Sequence, residues 1–268
     1  MERKNSMQKP SNLVQSVERV ANILELVGRN SQGMGIRDLS LVLKLPKGTV
    51  HRLLSTLVYM GYVRQDSATK NYFLGLKLLE LGNMVTNQLD LIKIAEPVLR
   101  GLAEDSGATV HMAILERNEI VYINKIESEM NAGGLKMTSR VGSRTSAHSC
   151  AMGKVLLAYS SGDEIDSLIE TAGLFRRTPN TITDPDRLKQ HLLAVRNQEY
   201  AIDDEENELG IRCVAAPVFG DKGSAVSAIS ASGPAFRVTK RLIQETLRKE
   251  VMRAASDISQ LLGYTGAK

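Results

Sequence analysis

The stretch IRDLSLVLKLPKGTVHRLLSTLVYMGY, residues 36–62, constrains the fold of this chain more than any other. Ile36, Leu39, Leu43 and Leu45 mark the apolar face of a short helix. Pro46 suits the start of a second helix, where its missing N–H costs nothing and its φ is already set. Val50, Leu53, Leu54, Leu57 and Val58 recur at helical spacing and predict the buried face of that second helix. Off that face, near its start, stand Lys47, Thr49, His51, Arg52 and Ser55. These are short or cationic donors, the side chains that bond to phosphates and base edges. Gly61 is placed to end the helix with a left-handed cap.

An ordinary helical hairpin would show the same apolar spacing, so the next residues decide. Residues 61–64 (GYVR) read as a short strand, 66–71 (DSATKN) as a polar turn carrying Lys70, and 72–74 (YFL) as the returning strand. Helix, turn, helix and basic-tipped hairpin make a winged helix-turn-helix, whose second helix lies in the major groove of double-stranded DNA. Charge agrees. Residues 1–75 hold 11 Lys and Arg against 5 Asp and Glu, a net +6, while the remainder is −2. A polyanion partner is expected for the first part alone.

At 268 residues the chain has room for two domains. Residues 1–11 are polar and charged, without the apolar centre of a signal peptide, and no apolar run would span a bilayer. Cys150 and Cys213 stand far apart and form no CxxC pair. A cytoplasmic protein without membrane partner, disulfide framework or structural zinc is expected.

Periodicity divides the chain into a disordered tail (residues 1–12), a DNA-binding domain (13–75), a linker helix (76–89) and a second domain (90–268). The linker is apolar over most of its circumference, through Leu76, Leu78, Leu79, Leu81, Met84 and Val85, and is expected to pack against a partner chain. The second domain opens with a helix over 91–106, closed by Gly107 and interrupted by Pro97. Strands are expected over 109–115, 120–126, 135–141, 200–203, 211–219 and 225–232, and helices over 151–159, 163–171, 188–197 and 239–262. Residues 142–150 read as a polar loop. This is an α+β domain, one antiparallel sheet with helices on it.

No phosphate loop, metal-ligand spacing or catalytic triad stands out, so no catalytic residue, metal or cofactor is expected. His111 alternates with apolar neighbours and reads as a core or edge histidine. Three stretches look unusual. SAHSCAMGK (146–154) leads small residues into a helix start, where free N–H groups can hold an anion; a plain N-cap is the bland alternative. DDEENE (203–208) reads as a solvated acidic loop. In ISASGP (229–234), Ser230 and Ser232 fall on one face of a strand and suit a pocket for a small polar ligand.

The chain resembles the IclR-type transcriptional regulators in LPKGTVHRLLSTLVYMGYV, YFLGLKLLELG, SAHSCAMGKVLLA, YAIDDEENELGIRCVAAPVF and AISASGP. The resemblance runs over about residues 13–262. It implies a cytoplasmic regulator of a catabolic operon, a repressor rather than an activator. It also implies a palindromic operator bound by a homodimer or homotetramer, and a GAF-like effector-binding domain for a small carboxylic or sugar acid. Carried over by motif, the effector pocket includes Met137, Ala151, Met152, Asp203, Ile211, Cys213, Ser230 and Ser232. The Ala151 and Met152 amides would hold a carboxylate, the serines would donate, and Asp203 would accept from a hydroxyl. Relatives often carry Gly-Ala where this chain has Ala151-Met152, which narrows that end; Gly134 would widen the other.

Two other classes compete. One is a hydrolase with Cys213 or Cys150 as nucleophile and His148 as base, which needs base and thiol within hydrogen-bond reach. The other is a structural winged-helix protein without a ligand, which no small molecule should stabilise.

Overall fold

The structure, a computed structural model, describes residues 12–88, 90–128, 137 and 139–266. Residues 1–11 of the expected tail and Gly134 fall outside these residues, as do residues 135, 136 and 138 of the strand expected over 135–141. The chain divides into two compact units, Met1–Leu89 and Asp90–Lys268.

In the first unit, α1 (Gln15–Arg29), α2 (Ile36–Leu43) and α3 (Lys47–Tyr59) precede a hairpin of β1 (Val63–Gln65) and β2 (Tyr72–Leu74). Val50, Leu54 and Leu57 of α3 meet Leu39 of α2, Ile23 and Val27 of α1, and Val63 and Tyr72 of the hairpin in one core. Leu53 is only half-buried and Val58 is exposed, so the buried stripe of α3 is narrower than its sequence suggested. Leu45 lies beyond α2, whose end is Lys44 in the left-handed region (φ 53). Pro46 is the residue just before α3. Gly61, at φ 77, follows α3. Its N–H reaches the Val58 carbonyl, and the Tyr62 N–H reaches that of Leu57, a left-handed cap that turns the chain sharply into β1. Helix α4 (Lys77–Gln88) leaves Leu79, Met84 and Val85 exposed, as is Leu76 just before it.

The second unit begins with α5 (Asp90–Ser106). Its strands are β3 (Thr109–Glu116), β4 (Glu119–Ile126), β5 (Arg144–Ser146), β6 (Ala201–Asp204), β7 (Ile211–Phe219) and β8 (Ala225–Pro234). They form one antiparallel sheet in the order β5-β4-β3-β8-β7-β6. The β3–β4 turn uses Arg117 and Asn118, both with positive φ, as a tight hairpin requires. Helices α6 (Ala151–Ala158), α7 (Gly162–Ser167) and α8 (Pro185–Gln198) stand between β5 and β6. α6 and α8 pack on Ala113, Cys213, Ala215 and Ala228 of the sheet. The chain closes with α9 (Lys240–Leu242), running through a π-helical turn into α10 (Arg248–Leu261), which packs on α5 and β7.

One strand differs from expectation. Ser139 and Arg140 are irregular and Val141 lies in a turn, while β5 falls at Arg144–Ser146, in the supposed polar loop. Its pairing with β4 uses backbone groups of an Arg-Thr-Ser segment that has no apolar alternation to announce it. Among the described residues, no helix is long and apolar enough to cross a membrane.

Candidate functional site

In the first unit, α3 presents Lys47, His51, Arg52 and Ser55 to solvent, with Thr49 half-buried. Lys70 sits at the hairpin tip with φ 60, exposed like the others. The turn beneath it is built on Asp66, whose Oδ1 accepts from the N–H groups of Thr69 (2.7 Å) and Ala68 (3.2 Å) and from Thr69 Oγ1 (2.8 Å). The Thr69 N–H is the main cause that holds the Asp66 carboxyl below its usual range. The Arg64 guanidinium lies 4.6 Å over the Phe73 ring, fixing the hairpin's two strands side to side. The six candidate DNA contacts therefore fall on α3 and on the tip of a preorganised hairpin.

In the second unit, a cavity of about 190 Å³ is lined by all eight candidates: Met137, Ala151, Met152, Asp203, Ile211, Cys213, Ser230 and Ser232. Strand register gathers them. Asp203 pairs with Cys213, Cys213 with Ser232, and Ser230 with both Ala215 and His111, so these side chains share one face. The start of α6 closes the far end. Residues 147–149 form a 3₁₀ turn, and α6 begins directly after Cys150. A side chain at Gly153 would overlap the Ala147 backbone, so only glycine lets the helix start this close to that turn.

Asp203 is 3% exposed, and its Oδ1 accepts from the N–H groups of Glu206 (2.7 Å) and Asn207 (3.3 Å). Burial raises its pKa to about 7, opposed by the nearby Lys154 charge. The Cys213 thiol faces Asp203 Oδ2 at 3.8 Å. Ser230 Oγ and Ser232 Oγ are 3.4 Å apart.

The acidic run is not a solvated loop. Glu206 is 7% exposed, and its Oε1 accepts from Lys154 Nζ at 2.5 Å. Lys154 is fully buried and also donates to the Ile202 carbonyl at 2.7 Å. Asp204 and Glu205 both pair with Arg212, at 2.7 and 3.2 Å. The run folds back because the carboxylates of Asp203, Asp204, Glu205 and Glu206 each find a specific partner, which an acidic string alone does not reveal.

Sequence reasoning also missed lining residues. His111, Tyr122, Thr145, Arg177 and Asn207 face the cavity. Asn207 Oδ1 accepts from Thr145 (3.0 Å) and Ser149 (3.3 Å), and its carbonyl accepts from Arg177 Nε (3.1 Å). Only for His111 was there a signal, a lone imidazole in register with Ser230. A wider groove of about 670 Å³ lies on the other side of the 203–208 turn. Its Arg212 and Lys240 are taken up by Asp204 and Glu205, so its charges largely cancel.

The thiols do not suit nucleophilic chemistry. Burial pushes Cys150 up to about 12 and Cys213 well above its usual value, so neither is a thiolate. His148 Nε2 faces the Phe175 carbonyl at 3.1 Å and must donate there, which removes that nitrogen as a base. Among the described residues, no cluster of ligating side chains could hold a metal.

A winged helix with cations on its second helix, joined to a sheet domain enclosing a small polar cavity, defines a class: DNA-binding regulators of transcription. The chain belongs to the IclR family of bacterial transcriptional regulators. Residues 16–67 match the IclR helix-turn-helix domain, and residues 83–260 match the bacterial transcriptional regulator IclR C-terminal domain. It is 38% identical over 258 residues to the HTH-type transcriptional regulator KdgR of Escherichia coli K12, covering 96% of each chain. It is 32% identical to the transcriptional repressor IclR of the same organism, covering 95% of this chain and 92% of that one. Its fold is shared by an IclR homologue from Microbacterium hydrocarbonoxydans solved in complex with 4-hydroxybenzoate. The TM-score is 0.80 at 22% identity, over 92% of this chain and 99% of that one. These relatives are regulators, not enzymes, which disposes of the hydrolase reading.

Proposed function

We propose that the protein is a cytoplasmic repressor of a catabolic operon, released or engaged by a small carboxylic or sugar acid bound in the cavity of the second unit. One observation carries this reading: eight residues scattered between Met137 and Ser232 line a single small cavity. It offers backbone N–H groups at a helix start, two hydroxyls and one buried carboxyl, a donor and acceptor set for an oxygen-rich anion. A relative named as a repressor supports the direction of control. The test is a pair of titrations, acid into protein and operator into protein with and without acid. Saturation should change operator affinity by roughly five- to a hundred-fold. An acid that binds without changing operator affinity would sink the regulatory role. If no small acid raises the melting temperature, the ligand-free structural reading takes its place.

Replacing both Ser230 and Ser232 by Ala should weaken acid binding by roughly 1–3 kcal/mol and leave operator binding by the free protein unchanged. Full acid affinity in this double variant would place the ligand elsewhere.

DNA binding is assigned to α3 and the hairpin tip. Arg52→Ala should cost ~1–3 kcal/mol of operator affinity if Arg52 reads a guanine. Removing a side chain that bonds to a phosphate should instead flatten the salt dependence by about one unit. Normal operator binding by Arg52→Ala would exclude that side chain from the interface.

A palindromic operator calls for a dimer, since one small winged helix reads too few base pairs. The proposed seam is the exposed apolar face of α4, where Leu79 is 61% and Val85 58% exposed. Leu79→Glu with Val85→Glu should give monomers in sedimentation; an unchanged oligomer places the seam elsewhere.

A further inference from the structure

We propose that His111 is a positioning residue that couples the state of Ser232, and so of the ligand cavity, to the chain segment 139–143 on the cavity's border. This rests on the reading of the cavity as the acid-binding site.

His111 stands in β3, opposite Ser230 of β8 on one side and Lys125 of β4 on the other. It is 2% exposed, and both ring nitrogens meet serine hydroxyls. Nε2 is 2.8 Å from Ser139 Oγ, and Nδ1 is 3.5 Å from Ser232 Oγ. Ser232 in turn lies within reach of Ser230. Four side chains thus form one hydrogen-bonded run, Ser230–Ser232–His111–Ser139, and all four line the cavity.

A neutral imidazole has one N–H and one acceptor nitrogen. Burial first, and the Lys125 ammonium second, lower the His111 pKa to about 3, so the ring stays neutral at physiological pH. The roles at its two ends are therefore opposite. When Nδ1–H donates to Ser232, Nε2 must accept from the Ser139 hydroxyl. When Nε2–H donates to Ser139, Nδ1 must accept from Ser232. The ring makes the direction of one hydroxyl depend on the other.

A carboxylate in the cavity breaks this symmetry. An acceptor that draws the Ser232 hydroxyl proton toward itself leaves Ser232 Oγ to accept from the ring. The ring is then the Nδ1–H tautomer, and Ser139 must donate to Nε2. No proton leaves the run; one tautomer is chosen over the other.

Ser139 is where this choice reaches the backbone. Lys125 Nζ donates to the carbonyls of Ser139 (3.0 Å) and Met137 (3.3 Å) and pairs with Glu127 at 2.7 Å. Beyond it, Ser143 Oγ caps Arg140, and the Tyr122 backbone bonds to Ser143 and Gly142. The His111 ring is the side chain that joins this segment to the serine pair. It is steadied edge-on against Tyr122, with ring centres 5.3 Å apart.

The test uses full-length protein with ¹⁵N-labelled histidine side chains, whose ring nitrogen shifts report the tautomer directly. The first arm needs no ligand. Ser232→Ala removes one end of the run, and the tautomer ratio of His111 should change by about threefold or more, with a parallel change in amide exchange of residues 139–143 but not of β7. Ser139→Ala should shift the same ratio from the other end. Unchanged ring shifts in both variants overturn the coupling outright. The second arm adds acetate and D-gluconate at saturation. Either probe, once bound, should drive His111 to the Nδ1–H form and slow exchange in residues 139–143. A probe that raises the melting temperature without moving the ring shifts overturns the coupling and leaves the cavity reading intact. If neither probe binds, the cavity reading loses its support, and the ligand-free arm still decides the role of His111.

Discussion

Lys154→Met is expected to lower the stability of the second unit by about 3–5 kcal/mol, because it leaves a buried carboxylate without its partner. Lys154 is completely enclosed, and its ammonium holds Glu206 Oε1 and the Ile202 carbonyl. Glu206 Oε2 has no hydrogen-bond partner among the described residues. Once the lysine is gone, its ammonium no longer balances the buried charge. A second change, Glu206→Gln, should return much of the stability, since a neutral amide does not need a counter-charge. Urea titrations of wild type, single and double variants give the answer. A Lys154→Met protein as stable as wild type at pH 7 would show that this pair contributes little.

The second large effect belongs to Asp203. Its folded-state pKa of about 7 lies above its unfolded value of about 3.9. The folded protein therefore holds a proton that the unfolded chain releases between these values. The sign follows: the contribution of Asp203 to stability is fully present below about pH 4 and is lost as pH rises through about 7, at a cost of up to ~4 kcal/mol. Asp203→Asn removes the titration while its side-chain oxygen can still accept from Glu206 and Asn207. The variant should be more stable than wild type at pH 8 and lose that advantage by pH 4. An identical difference at both pH values would mean that Asp203 does not titrate in this range. The same shift matters for recognition, because a neutral Asp203 at pH 6 can donate a hydrogen bond, and an ionised one at pH 8 can only accept.

Much of the architecture was legible for a physical reason. Helix faces and hairpins are local, so apolar spacing placed α2, α3 and the wing, and alternation placed β3, β4, β7 and β8 within a residue or two. β5 was not legible, since three polar residues on a sheet edge are held by backbone bonds that leave no pattern. In the cavity, the motif residues were named and the sheet brings them together. His111 was set aside because its partners, Ser139 and Ser232, lie 28 and 121 residues away. The pairing of Lys154 with Glu206 escaped for the same reason, the two being 52 residues apart in separate stretches. What sequence spacing cannot show is which polar groups a fold seals in together.

Gly153 wedges the first turn of α6 against the 3₁₀ turn before it, and no larger residue fits there. The close approach of the helix start to that turn is thereby fixed. The opposite wall is different. His111, Tyr122, Met137 and Ser139 line the cavity from segments outside the helix. A lineage built on this scaffold can reshape the cavity at these side chains while inheriting the placement of the helix start unchanged. The cavity then changes shape by substitution at a few side chains, whereas a larger residue at Gly153 would force the helix off the turn before it.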